Sequence, residues 1–154
     1  MVATALALHM LASIIWVGGM FFAYMVLRPV AAEMLEPPVR LKLWSHVFAR
    51  FFKWVWVIVI ALPATGYFMV FKNWDGFKFV SMDIHLMHGI GLLMVLLFLH
   101  LYFAPYRRMD EALASNNIEE AARRLGQIRG IVAINMSLGL IIGVIASAGR
   151  YWPL

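Results

Sequence analysis

Four stretches of the chain, Met1–Leu27, Trp54–Phe71, Ile84–Tyr106 and Gly130–Gly149, contain none of its 13 Lys and Arg or 8 Asp and Glu residues. Each is long enough, or nearly so, to cross a hydrocarbon core of about 30 Å at about 1.5 Å rise per residue. The connections between them are short, and no segment reads as a strand. The expected fold is therefore all-α: an integral-membrane, up-down-up-down four-helix bundle. It forms one transmembrane domain over residues 1–154, with spans at about 3–27, 54–72, 82–106 and 129–149.

Composition excludes whole classes of function. Hydrophobic residues make up 64% of the chain and charged ones 14%, against roughly 45–50% and 25% in soluble domains. There is no cysteine, which removes disulfides, thiolate metal sites and cysteine nucleophiles. The net charge of +5 does not point to nucleic acid, because Lys and Arg sit in connections beside the spans, where they orient a protein in a bilayer. The first window lacks a positive n-region and exceeds the h-region of about 7–15 residues typical of a signal peptide. It reads as a retained span, despite the Val30-Ala31-Ala32 stretch after Arg28-Pro29.

The charges set an orientation. The first connection carries Arg28, Arg40, Lys42, Arg50 and Lys53, and the third carries Arg107, Arg108, Arg123, Arg124 and Arg129. The second carries only Lys72 and Lys78, and only Arg150 follows the fourth span. Positive residues favour the cytoplasm, which predicts a multi-pass protein of the bacterial inner membrane with both termini periplasmic. Short amphipathic helices are expected in the cytoplasmic connections. One follows Pro37-Pro38, and the other starts at Asn117 with Glu120 three residues on, a capping-box pattern.

Along the fourth span Asn135, Gly139, Gly143 and Ser147 recur every four residues, a spacing that allows close helix contact in lipid. Trp54, Trp56, Trp74, Tyr102, Tyr106, Tyr151 and Trp152 lie near window ends, as interfacial aromatic belts do. Pro63 and Gly66 are expected to loosen the second span.

Four of the five histidines, His9, His85, His88 and His100, lie inside the apolar windows. A titratable group at such depth is costly and ordinarily faces a bundle interior with a partner. Spans one and three run in the same direction, so His9, His85 and His88 fall in one layer near the outer end. His85 and His88 are three residues apart, hence about 60° apart on one helix face. Ser13, Trp16 and Met20 continue the stripe that His9 begins. His100 lies about 22 Å below His85 along the axis, and His46 on the first connection is its available partner.

Two chemistries suit this arrangement. Two imidazoles from facing helices ligate a b-type haem, with Gly18, Gly19, Gly89 and Gly91 making room for a macrocycle. Imidazole and thioether together suit copper, and Met10, Met82 and Met87 lie within a turn of the outer histidines, with Met69 at similar depth and Asp83 nearby. The candidate cofactor residues are thus His9, Trp16, His85, His88 and His100, and the candidate metal ligands are His9, His85, His88, Met10, Met82 and Met87. No Ser-His-Asp set, paired carboxylates, phosphate loop or intramembrane Asp, Glu or Lys is present, so hydrolysis and carboxylate-driven proton transport are not expected.

His9-x6-Trp16-x-Gly18-Gly19-x-Phe21, with Arg28-Pro29 ending the span, resembles the first helix of the CopD-like copper-resistance membrane proteins. His85-Leu86-Met87-His88-Gly89, followed by His100 and Tyr102–Arg107, resembles their later histidine-bearing helix. The resemblance implies copper transfer from periplasm to cytoplasm. More distantly, the first helix is similar to that of the four-helix, haem-binding protoporphyrinogen oxidases of bacteria. That family tends to have a lysine two residues after its first later-helix histidine, where this chain has Met87.

Three readings follow. One is a haem b protein in redox or electron transfer, a membrane oxidoreductase with a membrane redox partner, ligated by His9 with His85 or His88. Another is a copper-binding or copper-transport protein. The third is a structural accessory subunit of a membrane complex. All three place the chain in the lipid bilayer, alone or as a homo-oligomer, and none involves nucleic acid. Haem is placed slightly ahead of copper, because the histidines span two helices while the methionines form no regular ladder.

Overall fold

The computed structural model describes residues 1–151, apart from the Arg150 side chain. Four helices are long and apolar enough to cross a membrane: α1 (Val2–Met34), α2 (Pro37–Trp74), α3 (Met82–Ala114) and α4 (Ile118–Ala148). Among the described residues there is no strand. The chain is a multi-pass, four-helix membrane bundle.

Short connections make consecutive helices antiparallel. Backbones approach most extensively between α1 and α2 and between α3 and α4, while α4 also touches α1 and α2. Between α2 and α3 the packing is carried by aromatic side chains. Phe52 meets Phe98 at 5.6 Å between ring centroids, and Trp56 meets Phe98 and Tyr102 at 5.4 and 5.2 Å. Trp56, Tyr102 and Tyr106 therefore turn inward and do not join an interfacial belt. Trp54 and Tyr151 are exposed as expected, and Trp152 lies outside the described residues.

The expected amphipathic helices exist, but as continuations of the spans. The segment after Pro37-Pro38 runs unbroken into span two, giving a 38-residue helix. Its N-terminal prolines occupy first-turn positions, where a missing N–H costs nothing. Helix α3 likewise continues past Tyr106 to Ala114, and α4 begins at Ile118. These extensions pack on one another at the end away from the chain termini, burying Leu41, Trp44, Met109, Ala112, Ala121 and Ile128. The Ser45 hydroxyl donates to Asp110 Oδ1 at 2.7 Å, tying the first connection to the third.

At α4 the Asn117 side chain accepts from the Glu120 backbone N–H at 3.1 Å, as the capping pattern predicts. Asn117→Ala is expected to cost about 1 kcal/mol, measurable as a lowered unfolding midpoint in detergent.

Two wide π-helical turns interrupt the regular helices, at Phe22–Leu27 in α1 and Tyr102–Tyr106 in α3. Each accommodates a proline, Pro29 just beyond the first and Pro105 inside the second. A proline ring collides with the carbonyl four residues back in an ordinary helix, and a widened turn relieves that crowding. Pro63 sits in unbroken α-helix.

The small-residue stripe of α4 is used over half its length. A Cβ added at Gly139 would lie 2.6 Å from Val17 Cγ2 and 3.2 Å from Met94 Cε, whereas one at Gly143 would meet nothing within 4 Å. Gly143 and Ser147 are exposed, so close contact is confined to the middle of the bundle.

Candidate functional site

His9 is the best-defined of the predicted groups. It is half-buried on the inner side of α1, and its Nδ1 lies 2.9 Å from Thr65 Oγ1 of α2. The Thr65 hydroxyl also lies 2.6 Å from the Ala61 carbonyl, which can only accept. The single hydroxyl proton is thereby committed to Ala61, and Thr65 Oγ1 accepts from His9 Nδ1–H. The Leu62 carbonyl of α2 is a further hydrogen-bond partner of the ring, so α2 holds the imidazole in place, as the support of a metal-ligating histidine does. Gly66 permits the approach, since a Cβ there would stand 3.5 Å from His9 Cε1. Thr65 is a site residue that the sequence did not single out. Its only signal was a hydroxyl beside a glycine at the depth of His9.

The other members of the outer layer are placed differently. The His88 ring packs against Phe77 at 4.9 Å and Tyr67 at 5.4 Å, and His85 lies 6.2 Å from Phe77. Thr65 and Tyr67 are two residues apart on α2, hence about 200° apart around it. His9 and His88 thus share a level but engage opposite flanks of the second span. His85 is exposed, as are Met10 and Met82, while Met87 and Met69 are half-buried. Asp83 packs against Gly149. Among the described residues no three of His, Cys, Asp or Glu come together as a metal-holding group.

The lower pair is not brought together by any bond to each other. His46 Nδ1 bonds the Lys42 carbonyl of its own helix at 2.8 Å, and both His46 and His100 are exposed. His85 and His100 share a broad helix face, as their spacing predicts, but that face looks outward. The expectation that an intramembrane histidine faces the interior holds for His9 and for His88, half-buried against Tyr67 and Phe77, and fails for His85 and His100.

This arrangement does not fit the facing imidazole clamp of a b-type haem. The space available agrees. A partly open recess in the bundle core offers about 40 Å³ to the centres of water-sized molecules, room for a few waters at about 10–15 Å³ each. The larger recess beside Thr65, about 390 Å³, is an open groove lined by Met1, Thr4, Ala5, Leu8, Ala64 and Phe68, with no histidine.

Below His9 the α1 stripe runs inward. The Ser13 hydroxyl returns to the His9 carbonyl at 2.9 Å, and Trp16 and Met20 are buried at 3% and 4% exposure. Trp16 meets Phe98 edge-on at 6.5 Å. Trp16, Met20, Phe52, Phe98 and Asn135 line the core recess. Asn135 is the only buried polar side chain among the described residues. Its Nδ2 donates to the Met94 carbonyl at 3.3 Å, while its Oδ1 has no partner. Leaving such an acceptor unmet costs about 1–3 kcal/mol.

Residues 45–148, more than half of the chain, match the family model described as copper resistance protein D, CopD. The chain belongs to the CopD family. The matched CopD segment contains His46, His85, His88, His100 and Asn135, and begins after the span that carries His9. No curated protein and no solved structure matches the chain. The CopD assignment bears out the resemblance to the CopD-like copper-resistance proteins and supports the copper-resistance reading.

Proposed function

We propose that this CopD family protein handles copper as cargo, taking the ion at the end of the bundle that holds both chain termini and passing it inward through the helix core. The observation that carries this reading is His9. Its Nδ1 is anchored on Thr65, and it stands at the head of a stripe of inward-facing side chains. A neutral, oriented imidazole suits copper, and an anchored ring nitrogen is the usual support of a metal-ligating histidine. His88, held by Phe77 and Tyr67 at the same level, is a further imidazole for an arriving ion. The methionines of this end, Met10, Met82 and Met87, supply thioethers along its rim.

Copper content after loading and desalting tests this function directly. The purified protein is expected to retain copper and to lose the outer equivalent on His9→Ala, while His46→Ala leaves it intact. Retention of copper unchanged by His9→Ala would remove His9 from the path.

The orientation that goes with this reading places the termini in the periplasm. The first and third connections, which share one end of the bundle through Ser45 and Asp110, hold ten of the basic residues between them. Reporter fusions at Leu154 and near Asn116 are expected in opposite compartments, with Leu154 periplasmic. A cytoplasmic Leu154 reporter would reverse the direction of copper movement.

A further inference from the structure

We propose that the recess in the bundle core is the binding site of an anionic phospholipid, whose phosphate is held by Arg28 of α1 and Arg129 of α4. This goes beyond the copper reading of the chain and does not depend on it.

Charge points to an anion. Among the described residues the polar ones that line the recess are Arg28, Arg129, Tyr24, Trp16, Trp44 and Asn135, and none is acidic. Neither guanidinium pairs with a carboxylate there. The ion pairs of the described residues are those of Arg123 and Arg124 with Glu120. Arginine is always charged and only donates hydrogen bonds. Two such groups on one recess concentrate positive charge and donors, which a phosphate matches by accepting from the guanidinium fork.

Both arginines are placed to receive it. The Arg28 guanidinium lies 4.7 Å over the Tyr24 ring, a stacking that occupies its face and leaves its edge N–H groups to donate. Arg129 Nη2 stands 3.8 Å from where a Cβ on Gly126 would be, so the missing side chain leaves it room to lie back along α4.

Level in the bilayer points to a lipid head group. Arg28 directly follows the first apolar window and Arg129 directly precedes the fourth. Helices α1 and α4 run in opposite directions, so both side chains stand at the connection end of the bundle, at the edge of the hydrocarbon where lipid phosphates lie. Basic pockets between membrane helices at such a level take lipid head groups.

The shape of the recess selects a phospholipid over a soluble oxyanion. At the waist of the bundle α1 and α4 meet closely, since a Cβ on Gly139 would lie 2.6 Å from Val17 Cγ2. Nearer the connections the lining contributed by these helices opens. Ala23, Tyr24, Arg28 and Val132 are half-buried, and Arg129 is exposed. The recess therefore runs from the arginines to a floor of buried rings, Trp16, Phe52 and Phe98. A free phosphate ion would use the arginines alone. A phospholipid uses both parts, its phosphate on the arginines and part of an acyl chain against the rings.

Titration of the lipid-stripped, full-length protein in detergent tests the site. Phosphatidylglycerol, phosphatidylcholine and inorganic phosphate are added separately, and the rise in unfolding midpoint reads binding. Phosphatidylglycerol is expected to give a saturable rise. Phosphatidylcholine, whose ammonium offsets its phosphate, and inorganic phosphate are expected to give little. Arg28→Gln and Arg129→Gln should each weaken phosphatidylglycerol binding by at least about tenfold, the loss of one charge-assisted hydrogen bond. Arg107→Gln removes the same charge at the same end from a residue stacked on Phe103 and outside the recess, and should leave binding unchanged. Arg129 is exposed, so Arg129→Gln carries the test if Arg28→Gln does not fold. An equal loss with Arg107→Gln would overturn the site in favour of general surface charge. An equal rise with inorganic phosphate would make it a soluble-oxyanion site, and an equal rise with phosphatidylcholine would overturn the anionic selectivity. No rise with phosphatidylglycerol would overturn the proposal outright.

Discussion

Replacing His9 by Ala is expected to abolish copper retention at the outer end, and replacing its support is expected to weaken it in a graded way. Thr65→Val keeps the shape and removes only the oxygen that accepts from Nδ1. The imidazole then loses that anchor, and loss of such a support typically costs 10–100-fold in metal affinity. Competition titrations against a copper chelator measure this directly. The informative pattern is complete loss with His9→Ala, roughly one to two decades with Thr65→Val, and no change with His46→Ala, whose ring is exposed and bonded to its own helix. Equal affinity in the wild type and Thr65→Val would show that the hydrogen bond fixes packing alone.

The second large effect is on stability. Gly139→Ala places a methyl group 2.6 Å from Val17 Cγ2, against α1 at the waist of the bundle. Overpacking of this kind costs about 1–3 kcal/mol, and Gly139→Leu should prevent the helices from closing. Gly143→Ala, one turn away, meets nothing within 4 Å. It is expected to be neutral or stabilising, because alanine is the better helix former by up to about 1 kcal/mol. Thermal unfolding in detergent separates the two. Equal effects at both positions would mean that α1 and α4 do not meet at Gly139.

The spans were legible in the sequence because charge is excluded from lipid so strongly that its absence marks them. The cap at Asn117 was legible because hydrogen-bond chemistry there is local. What could not be read is which way a helix faces. In water the buried face is the apolar one, but in lipid both faces are apolar, and the pattern that would have oriented α3 is absent. His85 and His100 were accordingly expected inside and lie on the outer surface. Trp56, Tyr102 and Tyr106 were expected at the membrane boundary and instead bridge α2 and α3. Thr65 escaped notice because its role depends on a neighbour 56 positions away. Asn135 stood out in the sequence within a packing stripe, and its bond to the Met94 carbonyl and its unmet oxygen become visible once the walls around it are placed.

The two widened turns, at Phe22–Leu27 and Tyr102–Tyr106, act as phase shifters. A π-turn adds one residue to a helix without adding a turn, so everything beyond it is offset by about 100° in sequence phase. The half of α1 that carries His9, Trp16 and Met20 and the half beyond Leu27 therefore follow separate angular registers, as do the two halves of α3. The stripe headed by His9 and the basic, aromatic-packed end can then change their residues independently, each obeying its own spacing. Removing one residue from either turn would rewind the helix into a single register and swing one end out of alignment with the other, although no side chain in the core recess had been touched.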